Sequence, residues 1–419
     1  MDQRVNEKPG VKAKSHAISA QDRAAAPRAD AVGAPNASNA LPHFKSVIDL
    51  IERERPTMPH FALHPKKFEK CARLFLDGFP GTPMYAVKSN PSPHVLDQLY
   101  RAGMRHFDTA SLNEIKLVRE RYTDAHCHFM APVRISGAAA TAFHDWGVTD
   151  FVVDHPDELE KLIRETGAKG ARFFVRIATP LGGAMLELSS KFGCTPEDGA
   201  KLLRRVQEAG AKPAVTFHVG SQCLSPFNYA QAMDMAKRTA AMAEVELDAL
   251  DIGGGFPAAY PSDDVPPHHW YFDTIREALS AFPLKKGSDV FCEPGRALCA
   301  EGVSLVDKVS LRKGDALYLN DGVYGNMDEL TLGWAMDYPR KVYYLDANGK
   351  AKPRIGEAKP FKIFGPTCDT IDVLPRPMML PANIQLDDYI VFETCGAYSA
   401  SVRTNFNGYW ADDWAIVDD

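Results

Sequence analysis

No stretch of this 419-residue sequence approaches the ~18 consecutive apolar residues of a membrane-spanning helix. Its eight cysteines, Cys71, Cys127, Cys194, Cys223, Cys292, Cys299, Cys368 and Cys395, are scattered, with no CxxC pair and no zinc-like ladder. The N-terminus also lacks the apolar core of a secretory signal, so reduced thiols in a cytoplasmic protein are expected. Neither sign of charge dominates: 48 Lys and Arg stand against 54 Asp and Glu, a formal net charge of −6. That balance gives no global pull towards nucleic acid or an anionic membrane. The remainder is ordinary globular composition, 45% hydrophobic and 24% charged, on a chain too long for one small core.

Residues 1–43 are rich in Ala, Ser, Asn and isolated charges and show no periodic apolar face. They read as a disordered tail, and Asp2, Glu7, Asp22 and Asp30 argue against a transit peptide. Residues 44–80 form a lead-in whose segment 60–63 is expected to lend a strand to a later β domain. Over 81–302, short apolar runs alternate with amphipathic stretches. The runs are 84–87, 106–109, 126–131, 150–153, 172–177, 214–219, 247–252 and 289–292. Helical patterns occupy 112–121, 156–166, 195–209 and 229–243, and Thr195 with Asp198 three residues on marks a helix start. Eight strands, most followed by a helix, predict parallel βα units and an α/β fold closed as a (β/α)8 TIM-type barrel. An open doubly wound sheet is the alternative. From 303 to 419 the runs are rich in Val, Tyr, Ile and Phe with Pro and Gly between them, which predicts a mostly β C-terminal domain.

Polar groups cluster just past the carboxyl ends of the proposed strands, where barrel enzymes build their sites. Lys88 closes the run Pro83-Met84-Tyr85-Ala86-Val87. An ammonium there is poorly solvated, so its pKa is expected to fall, as a Schiff-base lysine requires. A strand-end lysine reaching out to water is the plainer alternative. Phe217-His218-Val219-Gly220-Ser221-Gln222 delivers an imidazole and then a turn able to hold a phosphate oxygen. Asp251-Ile252-Gly253-Gly254-Gly255-Phe256-Pro257 lets backbone N–H groups approach an anion, although three glycines could equally be a turn. Cys292-Glu293-Pro294-Gly295-Arg296 sets a carboxylate, a small residue and a guanidinium at the last barrel strand. Far along the chain, Phe364-Gly365-Pro366-Thr367-Cys368-Asp369 offers a thiol beside a carboxylate, and Gly396-Ala397-Tyr398 follows. Cys368 could donate a proton, or be one more buried small hydrophobe.

Taken in order, these motifs resemble those of the ornithine/diaminopimelate/arginine decarboxylases, pyridoxal-phosphate (PLP) enzymes of the alanine-racemase-like fold type. The resemblance runs from about residue 45 to 415. Cys368-Asp369 and Asp321-Gly322-Val323-Tyr324-Gly325 resemble the ornithine decarboxylase branch; the diaminopimelate branch normally has Glu after that cysteine. The resemblance implies decarboxylation of L-ornithine to putrescine, with L-lysine to cadaverine alongside it. It implies that Lys88 carries PLP, Glu293 pairs with the pyridine nitrogen and His218 stacks on the ring. Ser221, Gly254, Gly255, Gly295, Arg296 and Tyr398 would hold the phosphate, while Asp108, Glu114 and Arg176 line or brace the site. It further implies a homodimer with shared sites, in which Cys368 protonates Cα and Asp369 binds the distal ammonium of the substrate.

One departure stands out. Where the eukaryotic-type enzymes have a second acidic residue after the Gly-Val-Tyr-Gly turn, this chain reads Leu332-Gly333, and Asp328 or Glu329 could substitute. Rival readings are a diaminopimelate-type decarboxylase, a non-catalytic binding relative, and a metal-dependent hydrolase built on His126 and His128. The last has no obvious further ligands, and no metal is expected.

Overall fold

Alternation along eight short strands decides the architecture. The computed structural model describes residues 41–179, 184–186, 190–261, 263–332 and 336–419; most of the expected tail, residues 1–40, lies outside them, as does Gly333 of the departure after the Gly-Val-Tyr-Gly turn. The strands β1 (Thr82–Ala86), β2 (His106–Thr109), β3 (His126–Phe129), β4 (Asp150–Val153), β5 (Arg172–Ile177), β6 (Lys212–Phe217), β7 (Leu247–Asp251) and β8 (Leu284–Cys292) close into a barrel, β8 meeting β1. Every pairing is parallel. Successive strand side chains point to opposite faces. One parity, including Tyr85, Phe107, Phe129, Phe151, Phe173 and Val215, joins the helices in the main core. The other parity fills the barrel: Met84, Met130, Val152, Phe174, Ala214, Ala249 and Phe291 form a separate apolar plug.

Helices follow the strands because each connecting segment carries a start signal and an apolar stripe. Ser111 accepts from the Glu114 N–H (3.2 Å) at the start of Leu112–Arg121. Thr195 accepts from the Asp198 N–H (3.2 Å) at the start of Pro196–Glu208, the helix start read from the sequence. Two elements differ from expectation. The last barrel strand begins at Leu284, ahead of the run 289–292, because Lys285-Lys286-Gly287-Ser288 hides an extended segment whose register against β7 shifts between Leu247 and Ala249. His268-His269, outside the helical patterns expected from the sequence, opens the helix His268–Leu279; Tyr271, Phe272 and Ile275 set its buried face, and the His268 ring lies 5.6 Å from that of Phe75.

Beneath the plug lies a polar layer. His106 Nδ1 and His128 Nε2 hydrogen-bond at 3.0 Å, and His128 Nδ1 and Asp150 Oδ2 at 2.7 Å. Arg172 donates to both Asp150 oxygens (2.9 and 2.8 Å) and to Asp289 (2.6 Å). Both nitrogens of His128 are thus engaged, which leaves the His126/His128 metal reading without ligands; among the described residues no cluster of three or more side chains could hold a metal ion.

The second sheet grows around the strand Val303–Lys313, which pairs antiparallel with both His60–Leu63 and Tyr389–Phe392. Asp413–Val417 adds to His60–Leu63 in parallel. Ala351–Pro353, Met378–Pro381 and Asp413–Val417 were not read from the sequence, being short and without clear alternation. On Val303–Lys313, Asp307 is fully buried and neither carboxylate oxygen has a hydrogen-bond partner among the described residues. No helix among the described residues is long and apolar enough to cross a membrane.

Two stability predictions follow from these buried groups. Burial, with His128 and His126 beside it, holds His106 down at about 4. A depressed folded pKa means its contribution is present above about pH 6.5 and is lost as the pH falls towards 4. Urea midpoints should therefore fall between pH 7 and 5, and His106→Phe should flatten the dependence by on the order of 1–2 kcal/mol, allowing for partial exposure. Burial, with Asp321 nearby, pushes Asp307 well above the usual carboxylate range, so its destabilisation grows as the pH rises above the unfolded value of 3.8. Asp307→Leu should raise stability by ~1–3 kcal/mol near neutral pH and by less at pH 4; equal gains at both would contradict this account.

Candidate active site

Above the apolar plug, the inward parity turns polar, and the motif residues converge there. Lys88 stands in the single turn Val87–Ser89 after β1, with its Nζ 3.0 Å from Asp108 Oδ2 on β2. Asp108 is buried, while the lysine side chain is 42% exposed towards the barrel mouth. Burial opposes the ammonium, but the carboxylates of Asp108 and Glu293 outweigh it and hold Lys88 above the usual lysine range. This reverses the expected fall, which considered solvation alone and not the partner on the neighbouring strand.

Opposite Lys88, Glu293 follows β8 and shares a hydrogen bond with Asp251 at the end of β7. Thr216 donates to Asp251 Oδ2 (2.6 Å) and the Gly253 N–H to its Oδ1 (3.0 Å). Burial, then Asp251 and Asp108, push Glu293 well above its ordinary range, which favours a proton shared between the two carboxyls. His218 Nδ1 accepts from the Gly220 N–H (3.0 Å), placing the ring proton on Nε2. Burial, with Arg176 and Lys88 nearby, pushes His218 well below its usual value and keeps the imidazole neutral. The Arg176 guanidinium lies over the Phe192 ring, 5.5 Å from its centroid. Glu114 Oε2 accepts from the Ala110 N–H (2.6 Å), bracing the loop after β2.

The glycines form a cradle that no side chain could share. A Cβ on Gly254 would lie 2.8 Å from His218 Nε2 and from the Glu293 carbonyl oxygen. One on Gly255, where φ is +100°, would lie 2.3 Å from the Gly220 carbonyl oxygen. One on Gly295 would sit 3.0 Å from Ser89. Beside this cradle, Arg296 Nη2 reaches Ser221 Oγ (3.4 Å), and the Tyr398 ring centroid is 5.0 Å from the guanidinium carbon. Tyr398 has φ +53° and its N–H donates to the Ser89 carbonyl (2.8 Å). A phosphate fits at this end, a protonated heteroaromatic nitrogen fits against Glu293, and a carbonyl carbon fits at Lys88. The residues present therefore suit PLP.

Three candidates lie elsewhere. Cys368 is exposed, its N–H donating to Asn407 Oδ1 (3.0 Å), and Asp369 Oδ2 accepts from the Tyr324 hydroxyl (2.7 Å). Neither forms a hydrogen bond or ion pair with Lys88, Glu293 or His218 among the described residues. Asp328 is half-buried and makes no ion pair among the described residues. Glu329, by contrast, is buried against Arg296. Sequence reasoning assigned no role to Asp251, Thr216, Tyr260, Gln222 or Asp372. Thr216 and Asp251 were within reach of it, since they share the inward parity of His218 and Glu293. Gln222 was not: it sits at φ +53° and ties the Ser221 turn to Ala258 through bonds of 2.7 and 3.1 Å. Asp372 accepts from the N–H groups of Val323 (2.9 Å) and Thr367 (3.0 Å), joining the Gly-Val-Tyr-Gly turn to the Cys368 loop.

Comparisons with known proteins converge on the same chemistry. The family described as pyridoxal-dependent decarboxylase, pyridoxal binding domain, matches residues 65–300. A lysine/ornithine decarboxylase from Selenomonas ruminantium is 33% identical over 348 residues, covering 80% of this chain and 83% of that protein. An ornithine decarboxylase from Saccharomyces cerevisiae is 30% identical over 364 residues, covering 78% and 73%. Among solved structures, a lysine/ornithine decarboxylase from Vibrio vulnificus complexed with putrescine superposes with a TM-score of 0.74 at 29% identity, covering 88% and 96%. The Paramecium bursaria Chlorella virus arginine decarboxylase bound to agmatine gives 0.77 at 25% identity, covering 88% and 99%. This chain belongs to the pyridoxal-dependent decarboxylases and uses PLP as its cofactor.

Proposed function

We propose that the protein decarboxylates L-ornithine to putrescine, with L-lysine to cadaverine as a second reaction. The observation that carries this reading is the barrel mouth itself, in which an amine beside Asp108, a proton-retaining Glu293 and an arginine–serine–glycine pocket stand in the order PLP requires. The names of the relatives select the substrate class. Lys88 would hold the cofactor carbonyl, Glu293 its ring nitrogen, and Ser221, Gly254, Gly255, Gly295, Arg296 and Tyr398 its phosphate. Bound there, the cofactor supplies an electron-poor ring that takes up the electron pair left when CO2 departs.

The chain's own groups do the rest. Glu293 would supply the carboxylate that pairs with a protonated ring nitrogen; burial and Asp251, which raise its proton affinity, favour a proton shared between the two carboxyls when no such cation is beside them. His218, neutral and close against Gly254, offers a flat face for the ring. Asp108 takes the charge of Lys88 while the amine is free. Cys368 would protonate the substrate carbon and Asp369 would pair with its distal ammonium, both reaching across from a second copy of the chain. That arrangement is favoured because their loop faces solvent and is pinned by Asn407 and Tyr324 away from the same chain's Lys88. A buried ammonium needs such a partner. With Glu329 already paired, Asp328 is the second acidic candidate. All eight cysteines are free thiols, which suits a cytoplasmic setting.

CO2 release from ornithine, lysine, arginine and meso-diaminopimelate, measured with added PLP, should favour ornithine with a smaller rate on lysine, and Lys88→Ala should abolish both. Turnover of diaminopimelate alone would move the protein to the other branch. A subunit-mixing experiment tests the shared site. Lys88→Ala and Cys368→Ala proteins, each nearly inactive, should recover about a quarter of wild-type activity when dissociated and reassembled together, since half the dimers carry one intact site of two. No recovery after proven exchange would place Cys368 in the site of its own chain.

A further inference from the structure

Arg296 opens the short helix Arg296–Cys299 at the end of the barrel, whereas Glu329 belongs to the turn Asp328–Thr331 after the Gly-Val-Tyr-Gly motif. Their side chains are only 4% and 5% exposed. Glu329 Oε1 accepts from Nη2 at 2.5 Å and Oε2 from Nη1 at 2.9 Å, an end-on bidentate pair. Nη1 also donates to the Tyr260 hydroxyl (3.0 Å), and the Tyr398 ring lies against the guanidinium. Nη2 is thereby turned towards Ser221 Oγ. The turn bearing Glu329 is itself anchored: the Asp321 carboxylate accepts from the N–H groups of Gly322 (2.8 Å) and Asn326 (2.9 Å) and from Asn326 Nδ2 (2.7 Å).

A carboxylate paired with a phosphate-binding arginine has two opposing effects. It offsets part of the positive charge that attracts the phosphate, and it fixes the guanidinium before the phosphate arrives. An arginine side chain is long and samples many rotamers, so orientation is a large share of its binding cost. Buried without a carboxylate, it would also be pulled towards water or towards other acceptors. The Gly254–Gly255 backbone and Ser221 flank the phosphate end of the pocket, so orientation of the guanidinium against this cradle outweighs its full charge.

We propose that Glu329 is a positioning residue for cofactor capture, holding Arg296 with its Nη2 edge on Ser221 so that the phosphate of PLP meets a preformed pocket. This rests on the reading of Arg296 as a phosphate ligand. It assigns Glu329 to the cofactor instead of the substrate amine, and it makes the turn from the second sheet part of the phosphate site.

The test compares dissociation constants for PLP and for pyridoxal, which has the same ring and aldehyde but no phosphate, on full-length protein stripped of cofactor and titrated by absorbance. Glu329→Ala should weaken PLP on the order of 10- to 100-fold, as loss of hydrogen bonds to a charged group does, and leave pyridoxal within about 2-fold. Glu329→Gln keeps one acceptor and should recover part of the loss. In an Arg296→Ala background, Glu329→Ala should add nothing further. Equal weakening of PLP and pyridoxal would mean a general structural role and overturn the proposal. Tighter PLP binding by Glu329→Gln would show that charge outweighs position and would also overturn it. If Arg296→Ala lowers PLP affinity selectively while the Glu329 variants do not, only the positioning role fails. If Arg296→Ala leaves the PLP-to-pyridoxal ratio unchanged, the phosphate reading of Arg296 fails first.

Discussion

Two carboxylates, Asp108 and Glu293, crowd the Lys88 ammonium at the upper end of a closed barrel, a third, Asp251, is hydrogen-bonded to Glu293, and the chemistry of the site follows from that crowding. Water cannot solvate all three there, so each must find a partner or keep a proton. Asp108 takes Lys88, and Asp251 takes Thr216 and the Gly253 amide. Glu293 is left sharing a hydrogen bond with Asp251, and burial favours a proton between them. Burial, with Arg176 and Lys88 nearby, keeps His218 neutral. The protonation of the whole cluster is thus set by burial and mutual charge together.

The second sheet completes this balance. Tyr398 and Glu329 both approach Arg296 from that side, and a Cβ on Gly396 would lie 1.8 Å from the Cys299 carbonyl oxygen. Backbone contact that close leaves little freedom between the barrel mouth and the sheet behind it. The Cys368 loop, tied by Asp372 to the Gly-Val-Tyr-Gly turn, faces outward from the same sheet. One frame therefore carries both the side chains that meet Arg296 and the exposed Cys368 loop.

Much of this was legible in the residues. The barrel followed from eight apolar runs with helical patterns between them, and Lys88, His218, Ser221, Glu293 and Arg296 stood out because each follows a run. A charge inside a strand, as in Phe107-Asp108-Thr109 and Val175-Arg176-Ile177, marks an inward position when its neighbours are apolar. Asp251 obeys the same parity and could have been read that way. The helix at His268 was missed because two histidines and Trp270 obscure its apolar face, and the start of β8 because its first residues are polar.

What the sequence alone determined was which residues face inward and where each βα unit ends, because strand alternation and helix starts are local properties of neighbouring residues. Which charges meet was decided only by the tertiary structure. The rise in the Lys88 pKa depends on Asp108, 20 residues away on the adjacent strand, and the engagement of Arg296 depends on Glu329, 33 residues away in a turn outside the barrel. Coulomb energy varies with distance and burial, and a one-dimensional pattern encodes neither.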